Sequence, residues 1–167
     1  MSQYTMFYIR YGNDFIELDT FSRNSVVAQV THEYAPWEKL AGVGPETLNN
    51  WIKAVKELIK NERASIKQYE DDIQMIGTWD HSIEEKMDEI SWRREEIEFM
   101  RQDIDEDESA LWFFKTLAGI DDNARSNARY EDRDPNWDRY YIYIGCETPC
   151  HPTVQDLVTP ENAVEKN

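Results

Sequence analysis

Residues 51–76 read WIKAVKELIKNERASIKQYEDDIQMI. Within this stretch Ile52, Val55, Ile59, Glu62, Ile66, Tyr69, Ile73 and Ile76 recur in alternating steps of three and four. That alternation is the seam of a coiled-coil helix. Upstream, Gly44-Pro45-Glu46 puts proline in a first helical turn, where its missing N–H is no loss. Downstream, Gly77 suits the position just past a helix end. A second stripe follows at the same steps: Ile83, Met87, Ile90, Arg94, Ile97, Arg101 and Ile104. The connection, MIGTWDHS at 75–82, is short, with Asp80 or Ser82 placed to start the next helix. The spacing therefore predicts a long antiparallel coiled-coil hairpin over about 45–76 and 80–106.

If Ile76 faces Ile83, then Tyr69 faces Ile90, Ile66 faces Arg94, Glu62 faces Ile97 and Ile59 faces Arg101. The acidic seam residue Glu62 then lies between the basic seam residues Arg94 and Arg101, and opposite charges in a seam fix register. The alternative is that both arginines run out to solvent along their stems. Leu48, Trp51 and Leu58 widen the first stripe near its base, and Phe99 and Met100 widen the second. From about 66 to 90 only the narrow seam remains. A wide stripe buries against a body and a narrow one only against its partner helix, so a protruding tip is expected.

Outside the hairpin, YTMFYIRY at 4–11 and FIELDTF at 15–21 flank Gly12-Asn13-Asp14 and read as a β-hairpin. Residues 25–34, SVVAQVTHEY, fit a short capped helix better than a strand. ALWFFKTLAGI, starting at Ala110, reads as a separate buried helix near 109–118. Residues 121–136 are polar and loop-like, WDRYYIYIG at 137–145 reads as a third strand, and 147–167, with Pro149, Pro152 and Pro160, reads as an irregular tail. The expected fold class is α+β in a single domain. It comprises a small antiparallel sheet from the N-terminal hairpin and the strand near 137–145, the helical hairpin 45–108, and the buried helix.

Acidic residues number 34 against 18 basic, a net charge of −16. Such a chain repels nucleic acid and attracts the basic surfaces that hold it. The charge is unevenly placed. Residues 45–76 carry six acidic and five basic groups, whereas 77–108 carry 13 acidic groups against Lys86, Arg93, Arg94 and Arg101. The opening MSQYTMFYIRYG has no basic segment leading a long apolar one, and two cysteines make no disulfide scaffold, so a cytoplasmic chain is expected.

Motifs for chemistry are sparse. Cys146, Cys150 and His151 in CETPCH lack the second ligand pair of a zinc site, and no metal or cofactor is expected. Asp103, Asp105 and Asp107 resemble the start of a calcium loop. The sixth and twelfth positions, however, hold Glu108 and Phe114 where glycine and glutamate are needed. No glycine-rich phosphate loop and no nucleophile elbow is present, so a non-enzymatic role is expected.

The leading expectation is an acidic binding protein that occupies a basic surface of a partner, in particular a nucleic-acid-binding protein. In class, though in no residue motif, it is similar to the small acidic inhibitors that phages use against host defences, such as anti-CRISPR and anti-restriction proteins. The expected contact residues are Glu84, Glu85, Asp88, Glu89, Glu95, Glu96, Asp103 and Asp105. Trp79 joins them as an anchor at the tip, unless it merely clamps the hairpin end by packing on Ile76 and Ile83. One rival is a small-ligand, nucleotide-like binding or sequestering oligomer. It would use Tyr4, Tyr8, Tyr11, Tyr140, Tyr141 and Tyr143 with Arg10, Arg125, Arg129, Arg133 and Arg139. A structural assembly protein that oligomerises through the hairpin is a further alternative.

Overall fold

The computed structural model describes residues 3–128 and 140–158. Along the chain run β1 (Tyr4–Tyr11), β2 (Asp14–Ser22), α1 (Val26–Thr31), β3 (Ala41–Val43), α2 (Pro45–Ile76), α3 (Ile83–Ala128) and β4 (Ile142–Cys146). A 3-10 turn, Val154–Asp156, follows. The architecture is α+β, an antiparallel four-stranded sheet with two long helices packed on each other. The chain divides into two compact units: one holds residues up to Ile52 and from Trp112 onward, the other Lys53–Leu111. Among the described residues no helix is long and apolar enough to cross a membrane.

In the first unit the strand order is β2-β1-β4-β3. Gly12, at φ 62°, supplies the positive φ that the tight β1–β2 turn requires at its first central residue. Alternation along the strands then sorts side chains to two faces. Phe7, Ile9, Ile142 and Ile144 are buried together, and Phe7 pairs with Ile144 across the ladder. The Phe7 ring stands edge-on to Phe113 at 5.0 Å, Phe21 at 5.8 Å and Trp51 at 6.3 Å. Phe113, Phe114 and Leu117 are therefore buried as the sequence implies.

They do not form a separate helix, however. The segment near 109–118 is the continuation of α3, which neither stops near 106 nor gives way to a loop at 121. The reason is that Asp107-Glu108-Ser109 contains no breaker: no proline or glycine interrupts the segment before Gly119.

On the other face Tyr8 stands opposite Tyr143, with Phe15 edge-on to Tyr143 at 5.2 Å. The chain after β4 covers part of this face. Tyr8 Oη and Thr148 Oγ1 share a hydrogen bond at 2.5 Å. The Leu40 N–H donates to the Asp156 carbonyl at 2.9 Å, and the Val158 N–H to the Leu40 carbonyl at 2.8 Å. Thr153 and Asp156 form a reciprocal capping box on the 3-10 turn. The part of the 147–167 tail up to Val158 has no regular element beyond this turn, and these bonds tie it to the chain beside the sheet. Residues 159–167 lie outside the described residues, as do 137–139 of the expected third strand.

Two short elements complete this unit. The Ser25 hydroxyl accepts from the Ala28 N–H and caps α1, so the segment is a helix as read. β3 is a strand of three residues that the sequence reading missed. A Cβ on Gly42 within it would collide with the Tyr140 ring, so only glycine fits there.

In the second unit α2 ends as Gly77 and Thr78 take up its last carbonyls. The Gly77 N–H donates to the Ile73 carbonyl, and both the Thr78 N–H and its hydroxyl donate to the Met75 carbonyl. Ser82 starts α3: its hydroxyl accepts from the Glu85 N–H at 3.2 Å and its carbonyl from the Lys86 N–H at 3.0 Å.

Candidate functional site

The seam of α2 is as expected. Val55, Ile59, Ile66 and Ile76 are buried, and Glu62, Tyr69 and Ile73 half-buried. The seam of α3 is in another phase. Ile90, Ile97 and Ile104 belong to it, but Lys86, Arg93, Met100 and Asp107 alternate with them, while Met87, Arg94 and Arg101 are exposed. Ile83 is 81% exposed and does not face Ile76.

The register is accordingly displaced. The Arg63 guanidinium lies 2.8 Å from the Glu108 carboxylate, Arg93 lies 4.0 Å from Asp72, and the Lys86 ammonium donates to the Gly77 carbonyl at 3.4 Å. The expected Glu62–Arg94–Arg101 cluster is absent; Glu62 neighbours Asp107 across the seam instead. A loop that carries the first turn of α3 past the end of α2 moves every pairing along the helix, and with it every side chain around the helix.

Because the seam is set, the flanks are set too. Residues one position after the seam, Lys53, Lys56, Lys60, Arg63 and Lys67 on α2, form an exposed cationic stripe. Arg94 and Arg101 of α3 fall on the same flank, as the Arg63–Glu108 pair confirms. One position before the seam the composition inverts. There α2 carries Leu58, Ser65, Asp72 and Met75, and α3 carries Glu89, Trp92, Glu96, Phe99, Asp103 and Glu106. None of these is basic. Trp92 is 42% exposed, Phe99 59% and Met75 62%, so three large apolar groups stand in solvent among carboxylates.

Trp92 is held rather than loose. Its ring is edge-on to Tyr69 at 5.9 Å, its indole N–H donates to the Glu89 carboxylate at 3.0 Å, and Arg93 stacks on it at 4.2 Å. Arg93 also donates to Glu89 at 2.7 Å, and these bonds, Arg93 first, hold the Glu89 carboxyl below its ordinary range.

Of the expected contact residues, Glu85, Glu89, Glu96 and Asp103 share this acidic flank. Asp88 and Glu95 lie on the outermost line of α3, and Glu84 and Asp105 turn toward the cationic flank. Trp79 is half-buried at the tip, with its ring 5.2 Å from the His81 imidazole. It cannot clamp Ile76 to an Ile83 that points into solvent. The sequence reading missed Trp92 and assigned Phe99 to the buried stripe. Their signal was a seven-residue spacing beside Glu89, Glu96 and Asp103, which repeat at the same interval.

A second concavity lies on the sheet. A cleft of about 550 Å³ is lined by Met6, Tyr8 and Phe15, by Asp14 and Glu17, and by Cys150 and His151. Desolvation raises the Tyr8 pKa. Arg10 lies beside the cleft and is committed. It donates to the Gly12 carbonyl at 2.6 Å and the Tyr143 hydroxyl at 3.1 Å, and lies 5.5 Å over the Phe15 ring. The other aromatic and arginine candidates do not gather here. Arg125 pairs with Asp121 at 2.9 Å, Tyr4, Tyr11 and Tyr140 are exposed elsewhere, and Arg129, Arg133 and Arg139 lie outside the described residues. Cys146 and Cys150 are free thiols, and burial pushes Cys146 up. Among the described residues no three His, Cys, Asp or Glu side chains are placed to hold a metal ion.

Comparison of the chain with protein-family models, with curated proteins and with solved structures returns no match.

Proposed function

We propose that the acidic flank of the α2–α3 hairpin is a docking face for a basic protein surface, in particular one that otherwise holds nucleic acid. The observation that carries this reading is the exposure of Trp92 and Phe99 among Glu89, Glu96, Asp103 and Glu106, on a flank whose one guanidinium, that of Arg93, is taken up by Glu89 and Asp72. Carboxylates steer a cationic partner, and aromatic groups at the centre of such a face supply the affinity. Phosphate contacts are electrostatic in the same sense, so a basic groove that binds DNA or RNA is complementary to this face. The role would be occupancy and inhibition without catalysis.

The test is displacement. Partners captured at low and high salt are identified and purified, and each is loaded with labelled nucleic acid. Wild-type chain should release the label, and the Trp92→Ala, Phe99→Ala double variant should not. Equal release by both would remove the acidic flank from consideration.

A second reading is favoured by the cleft on the sheet. Two rings beside Asp14 and Glu17 suit a small organic cation better than the phosphate-bearing nucleotide expected from the arginine content. Calorimetry with polyamines and quaternary amines against the Phe15→Ala variant distinguishes this role from the first.

A further inference from the structure

Glu62 and Asp107 are the polar residues of the seam that have no cation against them. Glu62 sits between the buried Ile59 and Ile66 of α2, and Asp107 follows Ile104 in the seam of α3. Asp107 is only 3% exposed. The two carboxyl groups are neighbours across the seam, and Glu62 Oε2 and Asp107 Oδ2 are both buried with no donor against them. Two ionised carboxylates have no donor between them and repel each other, so this contact requires a proton.

Among the described residues the surroundings supply no other neutralising charge. Asp103 of α3 adds a third negative group nearby. On α2 the adjacent Arg63 is turned outward and taken by Glu108 at 2.8 Å. Among the described residues no three His, Cys, Asp or Glu side chains are placed to hold a metal ion. A hydrogen ion is the one occupant that fits.

We propose that Glu62 and Asp107 form a proton-shared carboxyl latch that closes the helical hairpin in acidic surroundings and loosens it as the proton is withdrawn on the approach to neutrality. The latch is a property of the isolated chain and is independent of whether the acidic flank docks on a partner. Burial first, then Asp107 and Asp103, push Glu62 from its ordinary 4.5 to about 7, and burial likewise raises Asp107. A carboxyl group whose affinity for protons is higher in the folded chain contributes stability that is full below about 4.5. That stability is lost as pH rises through the interval from there to about 7. The window falls where ordinary exposed carboxylates have already ionised, so its titration is separable from theirs.

The experiment is a carboxyl-carbon NMR titration of the full chain, paired with amide hydrogen exchange. The Glu62 carboxyl should titrate near 7, well above the ordinary carboxylate range. Exchange at residues 59–66 and 104–111, corrected for intrinsic base catalysis, should rise by about tenfold or more between pH 5 and 8. Tenfold corresponds to one unit of displaced pKa. In Glu62→Gln the amide replaces the shared proton as donor, and the exchange profile should flatten. Asp107→Asn should do the same from the other side. A Glu62 midpoint in the ordinary carboxylate range, or a wild-type exchange profile in both variants, would overturn the latch.

Discussion

The two flanks of the hairpin differ in charge along a line that its two helices do not follow. Lys56, Lys60, Arg63, Lys67, Arg94 and Arg101 crowd one side, with Glu70, Glu84, Glu98, Asp105 and Glu108 among them. Glu89, Glu96, Asp103, Glu106 and Asp72 occupy the other, with Trp92, Phe99 and Met75 exposed between them. Both helices contribute to both flanks. Counting charge by helix therefore misplaces it: α3 is acidic on average, yet its exposed Arg94 and Arg101 lie on the cationic side. Charge on a helical pair is sorted by position relative to the seam, and a face can be named only after the seam is known.

The comparison breaks most completely if the seam is emptied. Ile97→Ala or Ile104→Ala should destabilise the hairpin by about 2–5 kcal/mol, since both side chains are buried and leave a cavity. Urea denaturation followed by helical circular dichroism measures it; costs below ~1 kcal/mol would place these residues outside the seam. Next in size, Glu62→Leu with Asp107→Leu should stabilise the pair by about 1–4 kcal/mol, as apolar packing replaces a buried polar contact. A loss of stability in the double variant would mean that the carboxyls have partners beyond each other.

Phe99→Ala sharpens the contrast between the flanks. It should weaken docking of a basic partner by about 2 kcal/mol while moving the unfolding midpoint little, because the ring is mostly in solvent. Titration calorimetry at two salt concentrations separates that contribution from steering by the carboxylates. Smallest of all, Arg94→Ala, Arg101→Ala and Ile83→Ser should each stay within about 0.5 kcal/mol of wild type. A large effect at either arginine would restore the pairing with Glu62 that the structure replaces.

Much of this fold is legible in the residues. The α2 seam, the β-hairpin with its glycine turn, the α1 cap and the burial of Phe113 and Phe114 follow from spacing and local chemistry. The phase of α3 does not, because Ile90, Ile97 and Ile104 belong to two overlapping stripes. One adds Met87, Arg94 and Arg101; the other adds Lys86, Arg93, Met100 and Asp107. Periodicity alone favours the stripe that begins with the apolar Ile83 and Met87. The structure adopts the other, whose polar members find partners: Arg93 takes Glu89, Asp72 and the Trp92 ring, Lys86 the Gly77 carbonyl, and Asp107 takes Glu62. Such compensation lies in a second helix and is invisible to a one-dimensional pattern. The acidity of the candidate face is legible for the same reason that its aromatic members are not. Charge adds up along a sequence, whereas exposure is decided by register. β3 escapes notice because three residues carry no period.

The strand order β2-β1-β4-β3 also bears on how the chain acquires its shape during synthesis. β1 and β2 emerge first and can pair at once, but the other edge of β1 belongs to β4, whose Tyr143 meets Tyr8 only after both long helices have been made. Until then β1 presents an unpaired backbone edge beside Phe7, a template for misplaced strands. Contacts so distant along the chain form slowly, while the helical hairpin closes through near neighbours. On the ribosome the hairpin should therefore assemble ahead of the sheet, and a chain stalled before Ile142 would be the aggregation-prone species.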